Sequence, residues 1–375
     1  MNSTAAEDSG DLRENGVVTE SAHSLMQQDE LKMQIAVDAM GGDYAPGVVV
    51  EGLARALYDF PDCEFTLVGH TGKLGLYLHK YGIANHPNLK LHHAESVVEM
   101  SDQSAISLRA KKDSSITECA RLMKAGTVEG LVSPGHTGAL VAATKVLNRT
   151  LPGIDRPALV ASLPCHGGRF MLVDAGANPD CRPGHLIQFA VMGEIYAKMM
   201  FKTERPRIGL LSVGGEDGKG SSLTKPVFKA LSEMPINFVG NVESNSAYEG
   251  ACDVLIADGF SGNVMLKTSE GLARMAGRWL KGLLARNALR MMGALLAKNA
   301  FKDFKAIVDA DEIGGAPLLG INGVCIIGHG SSSPKAVRNA IRTTRDAIKF
   351  KMNDRIVQRL AECRAAVSDM EDLFQ

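Results

Sequence analysis

Five short segments of the sequence combine glycine with side chains that can bind an anion: Asp38–Asp43, Ser133–Leu140, Gly214–Ser222, Asp258–Asn263 and Gly328–Lys335. Each reads as a turn from a strand into a helix. Glycine allows backbone amides to approach a ligand closely, and the free N–H groups of a first helical turn attract negative charge. The five turns therefore favour the binding of an anion such as phosphate.

Three of these turns carry a cation or a histidine, and we expect them to converge on one phosphate. Lys219 is the predicted point charge, and His136 and His329 complete the predicted catalytic set. The backbone and side chains that we expect around them are Asp38, Gly41, Gly42, Asp43, Ser133, Gly135, Thr137, Gly138, Gly220, Asp258, Asn263, Gly330 and Ser331.

Plainer interpretations of the same turns remain open. The glycines of the first turn could serve a tight turn alone. Ser133 or Thr137 could simply cap a helix and leave His136 in solvent. Lys219 could be an ordinary loop lysine, and His329 either donates to an oxyanion or is a hydrogen-bonded surface histidine.

Several kinds of chemistry find no support in the sequence. Neither GxxxxGK[ST] nor GxGxxG occurs, so nucleotide binding is not indicated. There is no GxSxG segment and no cysteine beside a recognisable base, which argues against a covalent intermediate. His92 and His93 point to opposite faces of a predicted strand, so no metal site is expected. The seven cysteines are scattered without a CxxC pair, and we expect them to be reduced and structural.

The elements that must position these turns alternate between apolar runs and helical patterns. Strands are predicted at 35–37, 65–68, 89–91, 131–132, 159–163, 170–173, 208–213 and 254–257, and helices at 46–58, 136–147, 183–201, 226–234 and 334–349. Buried runs of this kind are typical of parallel strands in a doubly wound α/β sheet, whose ligands bind at the carboxyl ends. A second lobe could begin at about residue 206, and a C-terminal helix is expected over 351–375.

Composition narrows the class of protein. Hydrophobic residues make up 45% and charged residues 22% of the chain, as in globular proteins, while aromatics are only 5%. The first 32 residues hold seven acids and two bases, a net charge of −5, and the remainder holds 39 bases and 35 acids, a net charge of +4. That excess suits an anionic ligand or an acidic partner and is too small for a nucleic-acid partner.

The N-terminal segment over 1–33 is predicted to be a disordered acidic tail. It has no apolar core typical of a signal peptide, and the chain has no long uncharged apolar window. We therefore expect a cytoplasmic protein without a membrane-spanning helix.

A stretch at 271–302 has seven basic residues and no acid. It is predicted to lie within a projecting helical pair over 264–305. Leu272, Met275, Trp279 and Leu283 follow one face, and we expect them to contact a membrane surface reversibly. The alternative is that this face is buried against another subunit.

Lys111 and Lys112 are predicted to attract an acidic carrier protein, the alternative being a solvated helix face.

Taken together, these segments resemble the phosphate acyltransferase family of bacterial phospholipid synthesis over about residues 34–350. The matching segments are 35–43, 111–115, 135–140, 154–159, 174–178, 188–193, 216–220, 258–264 and 329–332. One departure is at the second turn, where the family reads S-A/G-G-N-T-G-A and this chain has Pro134 and His136. Imidazole in place of the amide keeps a hydrogen-bonding group and adds titration near pH 6.5.

The resemblance implies an enzyme that makes acyl phosphate from long-chain acyl-acyl carrier protein and inorganic phosphate. Its product would feed a membrane-bound glycerol phosphate acyltransferase. The resemblance also implies a homodimer similar in fold to phosphotransacetylase and isocitrate dehydrogenase, no nucleotide cofactor or metal, Asn178 among the substrate-binding residues, and a cytoplasmic enzyme peripherally associated with the inner face of the membrane.

Two other functions stay open. One is a phosphotransacetylase-like enzyme that uses short acyl-coenzyme A. The other is a non-catalytic scaffold at the membrane surface, because a fold does not by itself imply a function.

Overall fold

The computed structural model describes residues 32–99, 102, 111–308 and 314–366. Most of the predicted acidic tail lies outside these residues, so its disorder stays a prediction.

Eleven strands form one sheet in the described residues. They are β1 Met33–Asp38, β2 Cys63–Gly69, β3 Leu89–His93, β4 Gly130–Ser133, β5 Ala158–Cys165, β6 Gly168–Val173, β7 Ile208–Leu211, β8 Phe238–Val242, β9 Val254–Ile256, β10 Ala316–Leu319 and β11 Val324–Ile327.

Twelve helices of the described part flank or leave the sheet. They are α1 Gly47–Asp59, α2 Thr71–Lys80, α3 Ser115–Lys124, α4 Thr137–Leu147, α5 Pro183–Phe201, α6 Thr224–Glu233, α7 Ser244–Tyr248, α8 Gly259–Leu284, α9 Ala288–Leu296, α10 Lys298–Val308, α11 Pro334–Lys349 and α12 Met352–Ala366. The five predicted helices between strands are all present, and the doubly wound α/β class is confirmed.

The sheet is buried on both faces. In β1, Ile35 and Val37 belong to one hydrophobic cluster and Ala36 to the other, as the two-residue period of a strand requires. Leu53 of α1 and Val337 of α11 pack into the first cluster. Cys119 of α3 and Leu140 of α4 pack into the second.

Strand order is β3-β2-β1-β4-β11-β10-β5-β6-β9-β7-β8. The first five strands are mutually parallel, and so are the last four. Three successive antiparallel pairings, β11 with β10, β10 with β5 and β5 with β6, join the two groups. Three reversals make the two parallel groups antiparallel to each other in the order of pairing, and the twist of the sheet between them sets where their carboxyl ends lie.

The expectation that the strand over 159–163 is parallel to its neighbours was wrong. β5 is antiparallel to both β10 and β6. Only His166 and Gly167 separate β5 from β6, and a connection this short can form a hairpin but not the crossover that parallel strands need.

The predicted helical pair over 264–305 is three helices in the structure, and the first begins earlier, at Gly259. Asn287 interrupts the run because its side-chain oxygen accepts a hydrogen bond from the Arg290 N–H at 2.9 Å and so caps α9. Within the described residues, none of these helices is both long and apolar enough to cross a bilayer.

Candidate functional site

The turns that follow β1, β4 and β11 meet at one edge of the sheet around Asp38, and we call them the Asp38 cluster. Asp38 is fully buried. Its Oδ1 accepts a hydrogen bond from the Met40 N–H at 3.0 Å, and its Oδ2 accepts one from the Ser133 hydroxyl at 2.6 Å. The Ser115 side chain and the Gly41 N–H also donate to it. One carboxylate thus connects the first turn, the second turn and the start of α3.

Backbone contacts bring the turns after β1, β4 and β11 together. A Cβ atom on Gly41 would lie 2.6 Å from the Gly135 nitrogen, so only glycine permits this approach. The Asp43 N–H donates to the Gly330 carbonyl at 2.7 Å. The prediction that the His136 turn and the His329 turn lie side by side is therefore consistent with the geometry.

Burial raises the pKa of the Asp38 carboxyl, while the hydrogen bonds from Ser133, Ser115, Met40 and Gly41 act in the opposite direction. An ionised carboxylate in this position depends on those donors, because none of its charge is exposed to water.

His136 is the residue that caps α4, rather than Ser133 or Thr137. Its Nδ1 accepts a hydrogen bond from the Ala139 N–H at 3.2 Å, and its Nε2 lies 3.0 Å from the Asp102 carbonyl oxygen. A neutral ring that accepts at Nδ1 carries its proton on Nε2, which then donates to Asp102. Both ring nitrogens are thus engaged within the chain, so His136 could bind phosphate only after releasing one of these partners.

His329 is exposed beside this turn, and Thr137 and Gly138 lie in the first turn of α4. The His329 Nδ1 accepts from the Ser331 N–H at 3.2 Å. Its Nε2 forms no hydrogen bond within the described part of the chain, which leaves a donor available to a substrate oxygen.

A second group of turns, the Asp174 cluster, lies at the carboxyl ends of β6 and β9. Buried Asp174 accepts hydrogen bonds from the backbone N–H groups of Leu159, Gly176, Ala177 and Asn178 at 2.7–3.1 Å. The Asn178 amide nitrogen donates to Asp174 at 2.9 Å and to the Pro157 carbonyl at 2.6 Å. In the free chain, Asn178 therefore stabilises this turn through hydrogen bonds to Asp174 and to the Pro157 carbonyl.

The fourth turn packs against the Asp174 cluster. A Cβ atom on Gly259 would lie 2.7 Å from the Asp174 carboxylate, and one on Gly176 would lie 3.3 Å from Asn263. Asp258 caps α8 through bonds from the Ser261 N–H at 2.9 Å and the Ser261 hydroxyl at 2.8 Å.

A cavity of about 1120 Å³ lies between the Lys219 turn, the Asp258 turn and one side of α8. Gly220, Ser221 and Thr224 line it on the Lys219 side, and Asp258 and Ser261 line it at the start of α8. The larger part of the remaining lining is apolar: Leu163, Pro164, Leu211, Val213, Phe260, Val264, Met265, Leu266, Leu272, Ala273 and Ala276. Further polar residues also line it: Ser162, Arg169, Ser212, Glu243, Ser244, Tyr248, Thr268, Ser269 and Glu270. Its volume is slightly above the usual range for small-molecule sites, which is about 300–1,000 Å³.

The Lys219 turn follows β7 in one parallel group of the sheet, whereas the His136 turn follows β4 in the other, six positions away in the strand order. The contacts that join the His136 turn to the His329 turn do not include Lys219. A phosphate site that Lys219 shares with these two turns therefore stays a prediction.

The two lysines predicted to attract a carrier protein differ. Lys111 Nζ donates to the Asp102 carboxylate and to the Val97 carbonyl, both at 2.7 Å, and this ion pair lowers the pKa of Asp102. Lys112 is exposed. Lys111 thus forms an ion pair within the chain, and its partner, Asp102, is also the residue that His136 contacts.

Of the predicted membrane contacts, Leu272, Trp279 and Leu283 are exposed, Trp279 by 65% of its surface. Met275 is partly buried.

Sequence reasoning missed Ser115 and Asp174 as site residues. Both stand in segments that carry the family resemblance, and Asp174 repeats the Val-Asp-Ala order of the Asp38 turn, a signal that could have identified it.

Among the residues described, no group of three His, Cys, Asp or Glu side chains is placed to hold a metal ion. All seven cysteines are free, and burial raises the pKa of the Cys252 thiol to about 12, so that thiol is protonated at neutral pH.

Comparison with known proteins agrees with this architecture. The phosphotransacetylase structure of Streptococcus pyogenes superposes with a TM-score of 0.57 at 19% identity, over 88% of this chain and 99% of that one. The phosphotransacetylase structure of Staphylococcus aureus gives a TM-score of 0.54 at 15% identity, over 85% and 96%. At these identities the likeness establishes the fold alone.

Sequence comparison is more specific. A family described as "Fatty acid synthesis protein" matches residues 33–355. A phosphate acyltransferase of Geobacter sulfurreducens is 45% identical over 88% of this chain and 94% of its own length. Phosphate acyltransferases of Desulfitobacterium hafniense and Bacillus pumilus are 43% and 42% identical, over 89% and 84% of this chain and 99% and 94% of their own. The chain therefore belongs to the fatty acid synthesis protein family and, within it, to the phosphate acyltransferases.

Proposed function

We propose that this phosphate acyltransferase takes a long-chain acyl group from acyl carrier protein, transfers it to inorganic phosphate, and so supplies acyl phosphate for glycerol-3-phosphate acylation. The observation that carries the proposal is the cavity beside α8. Its apolar lining and its volume of about 1120 Å³ suit a long acyl chain and far exceed what an acetyl group needs.

The transfer needs no covalent intermediate on the protein. A phosphate oxygen attacks the thioester carbonyl, a C–O bond forms, and the C–S bond breaks as the carrier thiolate leaves. The thiolate then takes up a proton from solvent. Catalysis is the placement of the two substrates together with stabilisation of the oxyanion by N–H donors and a cation. Lys219 and the polar end of the cavity offer such groups beside the proposed acyl site.

A homodimer is part of this proposal. The Lys219 turn and the Asp38 cluster belong to different parallel groups of the sheet. Two protomers related by a twofold axis can bring the Lys219 turn of one beside the Asp38 cluster of the other. The same arrangement would keep the three predicted turns in one site.

The test of the activity is a thiol-release assay on purified protein with inorganic phosphate. Palmitoyl-acyl carrier protein should release thiol only when phosphate is present, and acetyl-coenzyme A should be a poor donor. Turnover of acetyl-coenzyme A with none of palmitoyl-acyl carrier protein would favour the phosphotransacetylase-like alternative. No turnover with either donor would leave the non-catalytic scaffold.

Reversible membrane contact through Leu272, Met275, Trp279 and Leu283 completes the proposal and would place the enzyme at the inner face of the membrane. Exposed apolar side chains next to basic ones favour an anionic surface. Trp279 fluorescence should shift to the blue with anionic vesicles, and co-sedimentation should weaken as salt rises. A Trp279 that is already buried in the free protein, with no co-sedimentation, would assign this face to a subunit contact.

A further inference from the structure

We propose that the cavity beside α8 also selects acyl substrates by chain length. The thioester lies at the Asp258 end, and Ala273 and Ala276 limit the position of the chain terminus. This inference rests on the proposed function, since it assumes that a long acyl chain is the substrate. It adds an orientation for that chain and two residues that determine its length.

The length of the cavity follows from its lining on α8. The lining positions Ser261, Met265, Thr268, Leu272 and Ala276 recur at three- and four-residue intervals, which places them on one side of the helix. Fifteen residues separate the first from the last, a rise of about 22 Å. The acyl chains of one membrane leaflet span about 15 Å, half of the hydrocarbon core, so this side of α8 can accommodate a chain of membrane length.

The orientation follows from the distribution of polar groups. Hydroxyls and amides gather at the start of α8, where Ser221 and Thr224 of the Lys219 turn face Asp258 and Ser261. A thioester carbonyl and an attacking phosphate need such neighbours. At the other end the α8 lining is Leu272, Ala273 and Ala276, whose side chains are hydrocarbon only, while Ser162 and Arg169 line the cavity from β5 and β6.

Two of the polar side chains that line the cavity along α8, Ser269 and Glu270, have partners of their own. The Ser269 hydroxyl bonds to the Tyr248 hydroxyl and to the Met265 carbonyl. Glu270 forms ion pairs with Lys267 at 3.0 Å and with Arg274 at 3.7 Å. These groups can therefore lie beside an acyl chain and keep their hydrogen bonds and ion pairs within the protein.

Small side chains at the far end leave space that a longer chain can use. Ala273 and Ala276 are exposed in the chain, so larger residues there do not disturb the hydrophobic core. A phenylalanine at either position would occupy the path of the terminal carbons while leaving the polar end unchanged.

The experiment measures kcat/KM for decanoyl-, lauroyl- and palmitoyl-acyl carrier protein at saturating phosphate, in the full-length protein and in Ala276→Phe and Ala273→Phe. The control is Gly282→Phe on the same helix, where an added Cβ meets nothing within 4 Å and which does not line the cavity. Ala276→Phe should lower the palmitoyl-to-decanoyl ratio of kcat/KM roughly tenfold or more, because a pocket that loses room for a few methylenes discriminates by that much. Ala273→Phe should act in the same direction, and the control should keep the original ratio.

An unchanged ratio in both variants would overturn the assignment, even if all the rates fell together. The oligomeric state is measured in parallel by sedimentation: a variant that loses self-association and keeps the ratio would assign the groove to a second copy of the chain. These outcomes are separate from failure of the proposed function itself, which would appear as an unsubstituted protein that uses no long-chain thioester.

Discussion

Lys219 is the cation that the proposed chemistry depends on at the scale of single residues. It is exposed on a loop whose amide neighbour Gly220 lines the cavity. Lys219→Ala should raise the phosphate KM and lower kcat/KM for phosphate by roughly ten- to a hundredfold, because a hydrogen bond to a charged group contributes about 1.5–3 kcal/mol. Steady-state kinetics with varied phosphate measure this effect.

Lys225→Ala is the matched control for this prediction, because Lys225 is also exposed, stands six residues along the chain and does not line the cavity. Equal effects of the two substitutions would indicate that only net charge matters. An unchanged phosphate dependence in Lys219→Ala would remove Lys219 from the site.

Asp38 gives a prediction for pH. Burial raises the pKa of its carboxyl above the unfolded value, so the folded state favours the protonated form. The contribution of Asp38 to stability is then complete below the unfolded pKa of about 4 and is lost as pH rises through the folded pKa. Relative to Asp38→Asn, the unsubstituted protein should become less stable as pH increases from 4 to 8.

Urea unfolding of both proteins at each pH measures that difference, and the other titrating groups cancel because they are common to both. If the unsubstituted protein instead gained stability over Asp38→Asn with rising pH, the four hydrogen bonds would outweigh burial, and the direction of the pKa shift would be reversed.

At the scale of elements, one buried ion pair joins α5 to α12. Glu194 is 3% exposed and accepts from Arg359 Nε at 2.9 Å and Nη2 at 3.2 Å. Glu194 also raises the pKa of Arg359. Arg359→Ala should lower the free energy of unfolding by about 3 kcal/mol, since it leaves a buried carboxylate with only Lys198 as partner.

Replacing both partners, as in Glu194→Leu with Arg359→Met, should cost less than Arg359→Ala alone, because no buried charge is left behind. Equal losses in the single and double variants would show that packing of the Arg359 side chain, rather than its charge, holds α12 in place. Chemical denaturation of the three proteins distinguishes the two cases.

For the whole molecule, the proposed homodimer predicts a site shared between protomers. At subsaturating phosphate, Lys219→Ala and His329→Ala should each keep about a tenth or less of the original activity. Protein refolded from an equal mixture of the two should regain about a quarter of the original activity, because half of the dimers are mixed and each of those has one intact site.

A mixture of Lys219→Ala with Lys219→Met is the control and should regain nothing, since neither chain supplies the lysine. A mixture of Lys219→Ala and His329→Ala that stays as inactive as its components would show that the two turns do not serve one site.

Local patterns along the chain were enough to predict most of the helices and strands and the polar turns between them. Buried apolar runs such as Ile35–Val37, the cap at Ser333 with Pro334, and the glycines at 41 and 135 depend on neighbours within a few residues, so their patterns can be read along the chain. The family was recognisable for the same reason, because its motifs are these turns.

Which turns meet follows from the strand pairings rather than from local patterns. Strands β8, β10 and β11 were not predicted, and their place in the sheet depends on pairing with strands elsewhere in the chain: β8 with β7, β10 with β5 and β11 with β4. The parallel pairings of β4 with β1 and with β11 bring the turns after these three strands together, and the antiparallel pairings of β10 and β5 separate these strands in the sheet from β7, which precedes the Lys219 turn. Strand direction and side-chain partners depend on contacts between distant residues, which no local pattern records.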